Sequence, residues 1–510
     1  MTKTELGDYQ TPQTFSLEVA KLLKEKYSIR PSFILEPTVG LGSFIYASLE
    51  TFEGVQQVFG IDINQEYIDQ VKKNLAQKKI SHLLECTSIF EFDFNKILQK
   101  IPEDQDLLCL GNPPWVTNSQ LSSNESQNQP IKINFRKLRG IEAITGKSNF
   151  DIAEYILLKT MAEISNKRSG WYAFLVKSIV ARNLFKNYRD EFNFKTFDVY
   201  HFDAMKVFDV ACDAVLMVIQ LSSENSIERV NEFDFSEPYV LKKQYGFVNG
   251  RFVSDAIAYD TLKNIDGSSP IQWRQGIKHD CSKVMELTPK GNGYINGLGE
   301  DVTHLSSSPF VYPLIKSSEI KGGKLSTTKK KVIVTQTKPG DPTEKLKKDQ
   351  ALWEYLNSHT KYFEQRKSVI YKKAQKFAIF GIGSYSFCEY KIAVSGLYKE
   401  PHFTFVHASK PVMLDDTGYF VYTSDKKEAA LLFAILSSPA CTAFIKAISF
   451  SDSKRPFTKE SLQRIDFYNL MVHLGYDHIK AVITKEFNEE ITIEEFEKYL
   501  NKYQSPRGLI

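Results

Sequence analysis

The sequence predicts an α/β fold with a mostly parallel sheet in its N-terminal part, followed by a mixed α+β region. Short, fully apolar runs at residues 33–35 and 107–110 are typical of parallel strands covered on both faces. Segments with apolar residues at helical spacing alternate with such strands over roughly the first 225 residues. Beyond that point the alternation stops, and Gly, Pro, Asn and Ser interrupt the apolar runs. We therefore predict two domains, 1–235 and 236–510.

Composition restricts the functional classes. The chain has 510 residues, 42% hydrophobic and 25% charged, which is typical of a folded globular protein with more than one core. It holds no apolar run of 18 residues, and its first ten residues lack the apolar core of a signal peptide. Six scattered cysteines without a CxxC pair argue against a metal site and for a cytoplasmic location. The net charge of +4 means that a nucleic-acid partner requires local clustering of charge.

A glycine-bearing turn follows the first predicted strand. That strand ends in Glu36 and Pro37, and a helix begins after Gly40, Gly42 and Phe44. Strand, glycine turn and helix in this order are typical of nucleotide-binding α/β folds. The GxGxxG fingerprint is incomplete, so a dinucleotide is not the expected ligand.

An acid marks the end of the second predicted strand. Asp62 follows the run 58–61 and lies 20 residues after Gly42. Such an acid is placed to accept hydrogen bonds from a ribose diol. The alternative is an ordinary helix N-cap, since Asn64 and Gln65 come next, and both roles are compatible. Together with the glycine turn, Asp62 predicts a nucleoside-containing ligand.

A rigid corner ends the strand predicted at 107–110. Asn112, Pro113, Pro114 and Trp115 follow it, and the two prolines stop the strand because neither has an N–H for the ladder. The chain therefore leaves the sheet at its carboxyl end, where ligands bind in open α/β folds. An amide, a carbonyl and an indole are held there together. The alternative is a strand-ending turn with a core tryptophan.

The rest of the first half continues the α/β pattern. Residues 116–149 are a long polar segment, which is usually functional or mobile. A helix is predicted at 152–164 and a strand at 170–176. Runs 197–202 and 213–219 predict two more strands, interpreted as the antiparallel edge of the sheet.

The second half carries a concentration of positive charge. Residues 316–376 hold 16 Lys or Arg against 6 Asp or Glu, with aromatic residues between them, which predicts a phosphate-facing surface. The alternative is a solvated basic face. Residues 377–397 alternate as hairpin strands do. The candidate nucleic-acid-binding residues are Lys329, Lys330, Lys331, Lys372, Lys373, Lys454 and Arg455.

These features together resemble S-adenosylmethionine-dependent amino-methyltransferases, in particular N6-adenine DNA methyltransferases of restriction–modification systems. The proline corner, residues 112–115, matches the family's catalytic D/N/S-P-P-aromatic motif. The order of cofactor loop, catalytic motif and long recognition region is the family's γ arrangement. The resemblance implies a Rossmann-like methyltransferase domain followed by a DNA-recognition domain.

The resemblance also implies a set of cofactor contacts. S-adenosylmethionine is expected to bind to Thr11, Pro12, Glu36, Pro37, Gly40, Gly42, Phe44, Asp62, Ile63, Ser88, Ile89 and Asn112. The family often has an acid before the end of the third strand to bind the cofactor's adenine, and Ser88 stands at that place here, with Ile89 next to it. Trp115 is a less common form of the motif's aromatic residue.

The implied reaction is methyl transfer to the amino group of an adenine flipped out of duplex DNA. The side-chain oxygen of Asn112 and the carbonyl of Pro113 would accept hydrogen bonds from that amino group. Pro114 stiffens the corner, and Trp115 and Phe208 would stack on the flipped base. For Phe208 a place in the core is an equal alternative.

Other functions share the proline corner. A cytosine-N4 DNA methyltransferase, or a methyltransferase of protein glutamine or RNA amino groups, are enzyme alternatives. A DNA-binding specificity subunit is the non-enzyme alternative. The sequence shows no nuclease motif, so a restriction endonuclease partner is expected to be a separate chain.

Overall fold

The computed structural model describes residues 9–102, 105–116, 151–165, 170–221 and 226–504. The polar segment predicted at 116–149 therefore lies outside the described residues except for Val116. The chain divides into two compact units, Met1–Ile257 and Ala258–Ile510.

The first unit alternates strands and helices, as predicted. Its elements are α1 (Gln13–Tyr27), β1 (Phe33–Glu36), α2 (Ser43–Thr51), β2 (Gln57–Asp62), α3 (Gln65–Lys78), β3 (Ser81–Cys86), α4 (Asn95–Leu98), β4 (Leu107–Gly111), α5 (Ile152–Ser165), β5 (Trp171–Lys177), α6 (Ser178–Phe192), β6 (Phe194–Asp203), α7 (Ala204–Phe208), β7 (Asp213–Leu221), β8 (Arg229–Asp234), β9 (Lys243–Val248) and β10 (Arg251–Val253). Helix α8 (Ala256–Leu262) spans the division between the units.

The first unit contains a ten-stranded sheet with the order β10-β9-β8-β6-β7-β5-β4-β1-β2-β3. Strands β3, β2, β1, β4 and β5 run parallel, and β7 lies antiparallel between β5 and β6. The prediction of a mostly parallel, Rossmann-like sheet is confirmed. Strands β6 and β7 are not its edge, because β8, β9 and β10 extend the sheet beyond them.

Burial explains why these segments form the centre of the sheet. Every residue of β1 and of β4 is buried, as expected for parallel strands covered on both faces. Helix α1 covers the sheet with a stripe in which Val19 and Leu23 have no exposed surface. Strand order reverses at β1, whose neighbours are β2 and β4, and the carboxyl ends of strands at such a switch point form a ligand crevice.

Two boundaries differ from those predicted. Strand β3 ends at Cys86, two residues before Ser88, because residues 87–91 turn out of the sheet. The domain boundary predicted at 235 falls between β8 and β9, whereas the first compact unit continues to Ile257. Strands β9 and β10 lie beyond residue 235, yet β9 pairs with β8 of the same sheet and β10 pairs with β9.

The second unit is a mixed α+β structure with two five-stranded sheets, ordered β11-β20-β17-β18-β15 and β13-β12-β16-β14-β19. Its elements are β11 (Arg274–Gln275), α9 (Ser282–Met285), β12 (Glu286–Lys290), β13 (Gly293–Asn296), β14 (Val311–Ile315), β15 (Gly323–Leu325), β16 (Lys330–Ile333), α10 (Gln350–Ser358), α11 (Thr360–Glu364), β17 (Tyr390–Ser395), β18 (Thr404–Val406), β19 (Met413–Leu414), β20 (Gly418–Thr423), α12 (Lys426–Leu436), α13 (Pro439–Ile448), α14 (Lys459–Gln463), α15 (Phe467–Leu474), α16 (Tyr476–Phe487) and α17 (Ile493–Tyr503). The hairpin predicted at 377–397 is wrong: that range holds β17 alone, and β17 pairs with β18 and β20.

No single helix in the described ranges is long and apolar enough to cross a membrane. Helices α12 and α13 pass that test only as a pair bent by 60°, and by length and composition alone. Among the described residues there is no group of three or more His, Cys, Asp or Glu side chains that could hold a metal ion.

Candidate active site

A pocket lies at the carboxyl ends of β1, β2 and β4 in the first unit. The predicted residues that line it are Thr11, Glu36, Pro37, Gly40, Asp62, Ile63, Ile89 and Asn112, together with Pro114 of the proline corner. We call it the strand-end pocket. It brings together, from separate parts of the sequence, most of the residues that were predicted to bind a cofactor.

Two glycines of the loop adopt the left-handed backbone conformation. Gly40 and Gly42 have φ angles of +48° and +78°, a region in which L side chains are strained. A Cβ atom on Gly40 would lie 2.7 Å from the side-chain oxygen of Gln10. That oxygen accepts a hydrogen bond from the Leu41 N–H at 3.0 Å. Residues 9–11, which we call the N-terminal strap, therefore close over the loop, and sequence reasoning missed Tyr9 and Gln10.

Asp62 binds the glycine loop rather than capping the next helix. One carboxylate oxygen accepts from the Gly40 N–H at 2.8 Å and the other from the Asn64 N–H at 2.9 Å. The N-cap of α3 is Asn64, whose side chain accepts from the first helical N–H groups. Asp62 is therefore held at the pocket wall with its carboxylate oriented by main-chain donors.

Glu36 is a buried acid in the same pocket. Only 2% of its surface is exposed, and burial raises the pKa of its carboxyl well above the usual value. The neighbouring charge of Asp62 raises the pKa further, while a hydrogen bond from the Ile45 N–H at 3.2 Å opposes the rise. A carboxyl group in this state favours a cationic ligand, which would stabilise its ionised form.

The amide of Asn112 is oriented by the N-terminal strap. Its Nδ2 atom donates to the Tyr9 carbonyl at 2.8 Å and to the Thr11 hydroxyl at 3.3 Å. Its Oδ1 atom is buried and has no hydrogen-bond partner. A buried acceptor without a donor is costly, about 1–3 kcal/mol, and such a group calls for a ligand that supplies the donor.

Trp115 is attached to β5 at two points. Its indole N–H donates to the Leu175 carbonyl at 3.2 Å, and its own carbonyl accepts from the Lys177 ammonium at 2.8 Å. Lys177 also forms an ion pair with Asp151 at 2.7 Å. Burial raises the pKa of Asp151, and the charge and hydrogen bond of Lys177 oppose that rise. Sequence reasoning missed this pair, because its members are 26 residues apart in different elements.

The two aromatic residues predicted to stack on a base are neighbours. The ring centroids of Trp115 and Phe208 are 5.2 Å apart, at an interplanar angle of 74°. A base held between two parallel rings needs about 7 Å, the sum of two van der Waals contacts. Phe208 is half-buried and also contacts Phe15 and Phe202. A base can enter between the two rings only if one of them moves.

Some predicted residues do not line the pocket. Phe44 has no exposed surface and packs in the core. Gly42 is the N-cap of α2 and is not part of the pocket wall. The Ser88 hydroxyl accepts from the Phe90 N–H at 3.3 Å, and Thr87 and Phe90 line the pocket instead. Pro12 is the N-cap of α1, next to the strap. Thr38, which was not predicted, lines the pocket with a buried hydroxyl that has no partner.

The basic residues predicted in the second unit differ in their surroundings. Lys330 pairs with the buried acid Glu286 at 2.9 Å, Arg455 lies 3.5 Å from Asp416, and Lys331 lies 4.6 Å from the ring centroid of Tyr294. Lys329, Lys372, Lys373 and Lys454 are exposed and have no ion-pair partner in the described part of the chain. Their role in DNA binding stays a prediction.

The chain is similar to known proteins in sequence and in fold. No protein-family model matches the chain. Over 480 residues the chain is 38% identical to the type II methyltransferase M.NspV of Nostoc sp., covering 91% of this chain and 97% of the relative. The structure of the type IIL restriction–modification enzyme MmeI in complex with DNA matches with a TM-score of 0.51 at 12% identity, over 98% of this chain and 77% of that one. The second likeness shows the fold.

Proposed function

Because the chain belongs to the type II DNA methyltransferases of restriction–modification systems, we propose that it methylates the N6 amino group of adenine in duplex DNA. In this role it is the modification enzyme of such a system. Its methyl donor is S-adenosylmethionine, and its restriction endonuclease is a separate chain. The methyltransferase and the endonuclease would both act in the cytoplasm, where the DNA substrate is.

The observation that carries the proposal is the unpaired Oδ1 atom of Asn112. An adenine amino nitrogen is a poor nucleophile because its lone pair is delocalised into the ring. Two acceptors that bind both of its N–H groups favour a pyramidal nitrogen with a freer lone pair. Asn112 Oδ1 is free to be one of them, since both of its Nδ2 hydrogens are used by the N-terminal strap. The Pro113 carbonyl is the other.

The strand-end pocket fits S-adenosylmethionine. Asp62 is oriented for a ribose diol, and Ile63, Ile89 and Phe90 offer apolar surface for an adenine ring. The buried carboxyl of Glu36 suits a ligand with an ammonium and a sulfonium group. When bound, this cofactor supplies an electrophilic methyl group.

Base flipping follows from the position of the target atom. The amino nitrogen of adenine is not reachable inside a duplex, so the base must leave the stack at a cost of a few kcal/mol. Trp115 is attached to β5 through its indole and its carbonyl, so we propose that it is the fixed wall of the base site. Phe208, at the end of the five-residue helix α7, is the wall that moves.

The test is to identify the product. The purified protein is incubated with labelled S-adenosylmethionine and mixed duplex DNA, and the DNA is digested to nucleosides. We expect label in N6-methyladenine. Label in N4-methylcytosine would favour the cytosine alternative. Label confined to protein or RNA would contradict a DNA substrate, and sequencing of the labelled DNA would give the recognition site.

A further inference from the structure

A lysine-rich turn in the second unit carries two aliphatic side chains into solvent. Val369 is 72% exposed and Ile370 is 42% exposed. They begin a 3-10 helix, Val369–Tyr371. Single exposed apolar residues are ordinary on a protein surface, whereas adjacent ones on a defined turn mark a candidate contact surface.

The turn is stabilised by contacts of Tyr371 and Arg366 with the rest of the second unit. Tyr371 is buried, and the guanidinium carbon of Arg366 lies 3.8 Å from the centroid of its ring. The Arg366 guanidinium also donates hydrogen bonds to the main-chain carbonyls of Phe363, Lys376 and Ala378. The outward direction of the two aliphatic side chains is therefore set by the fold.

The surroundings of the pair are strongly positive. Residues 366–376 include five Lys or Arg and no Asp or Glu. Lys367, Lys372 and Lys373 are exposed and have no ion-pair partner among the residues that the structure describes. This arrangement is complementary to duplex DNA. The lysines can bind phosphates, and the two apolar side chains can contact the base faces that are exposed where neighbouring base pairs unstack.

We infer that Val369 and Ile370 form a wedge that inserts at a base step of the DNA substrate, while the flanking lysines bind phosphates. The inference rests on the proposed function, since duplex DNA is the partner named there. Apolar side chains inserted at a step unstack it and kink the duplex.

The experiment uses the full chain and a duplex that the wild-type protein binds, with donor and acceptor dyes at its two ends. For V369S/I370S we expect roughly ten-fold weaker binding, which corresponds to about 1.4 kcal/mol, and lower energy transfer at saturating protein because the duplex is straighter. The dependence of affinity on salt should not change, because no phosphate contact is lost. For K372Q/K373Q the salt slope should fall by up to about 1.8, or 0.9 for each phosphate contact.

The matched control is Val472→Ser. Val472 is 56% exposed on α15, a helix without lysine, and its substitution should leave affinity and energy transfer at wild-type values. Wild-type energy transfer in the saturated V369S/I370S complex would overturn the wedge, whatever the affinity. Methylation is measured in the same samples. Absent methylation by the wild-type protein would overturn the proposed function together with the wedge. Normal methylation with normal kinking in V369S/I370S would overturn the wedge alone.

Discussion

Replacing Lys177 with methionine tests how the proline corner is held. The Lys177 ammonium lies 2.7 Å from Asp151 Oδ2 and 2.8 Å from the Trp115 carbonyl oxygen. Methionine keeps most of the apolar stem and removes both interactions. Breaking a buried ion pair by removing one partner typically costs about 3–5 kcal/mol. Because the Lys177 side chain is 24% exposed, we expect a smaller loss of unfolding free energy, about 2–3 kcal/mol.

The loss should depend on pH, with a sign set by Asp151. Burial raises the pKa of Asp151, and Lys177 restrains that rise, so the pKa rises further in the Lys177→Met variant. An acid whose pKa is higher in the folded than in the unfolded state favours folding below the unfolded pKa, and this contribution is lost as the pH rises through the folded pKa. The unfolding free energy of the variant should therefore approach that of the wild type in acid, where Asp151 is protonated. The difference between the two should grow as the pH rises.

Urea denaturation at several pH values measures this effect, with methylation kinetics on the same samples. K177M/D151N should recover part of the lost stability, because no unpaired carboxylate stays buried. We also expect kcat to fall more than cofactor affinity, since a displaced Trp115 disturbs the reacting geometry. If Lys177→Met lowers the unfolding free energy by less than about 0.5 kcal/mol at every pH, its effect is that of an ordinary surface substitution. That result would refute the role of Lys177 in holding the proline corner.

Three further predictions concern the pocket and the basic residues. Asp62→Ala should weaken S-adenosylmethionine binding by about 1.5–3 kcal/mol, the usual contribution of hydrogen bonds to a charged group; unchanged affinity by calorimetry would remove Asp62 from the site. Binding of S-adenosylmethionine should strengthen as the pH rises towards the raised pKa of Glu36, because a cationic ligand favours the ionised carboxyl; Glu36→Gln should flatten this dependence, and equal pH profiles would contradict the role. Lys329→Gln should lower the slope of DNA affinity against salt by up to about 0.9. Lys330→Gln should instead lower the melting temperature, because it removes an ion-pair partner of the buried Glu286. Binding isotherms and melting curves that show the opposite pattern would mean that Lys330 binds phosphate and Lys329 stabilises the fold.

Several residues that were predicted to bind the cofactor line the strand-end pocket, and their positions follow from short segments of sequence. Asp62 ends β2 and Gly40 lies in the turn after β1, so strand and turn patterns place them at the same edge of the sheet. Asn112 is followed by two prolines that can only end its strand. In contrast, the resemblance placed Ser88 before the end of the third strand, whereas β3 ends at Cys86 and Thr87 lines the pocket instead of Ser88.

The features that were missed depend on contacts between distant segments. The Lys177–Asp151 pair joins β5 to the start of α5, and no local pattern reveals it. Lys330 belongs to a basic run in the sequence, yet its partner Glu286 lies 44 residues earlier in a neighbouring strand. Burial alone would raise the pKa of Glu286, but hydrogen bonds from His279, Lys316 and Lys330 lower it instead. Charge counts along a chain do not distinguish a paired lysine from a free one.

The most direct test of the central claim is the methylation rate of Asn112→Ala. The claim is that Asn112 Oδ1, which is buried and unpaired in the protein alone, accepts a hydrogen bond from the reacting amino group. Alanine removes this acceptor together with the two hydrogen bonds from Nδ2 to the N-terminal strap, and it leaves β4, both prolines and Trp115 in place. We expect kcat for adenine methylation to fall by about 10²–10³, as for other preorganised polar groups, with DNA affinity and melting temperature near the wild-type values. Cofactor affinity should fall much less than kcat, because only the hydrogen bonds between Asn112 and the N-terminal strap are lost at the pocket. Wild-type kcat in a well-folded Asn112→Ala protein would contradict the assignment of the proline corner as the active site.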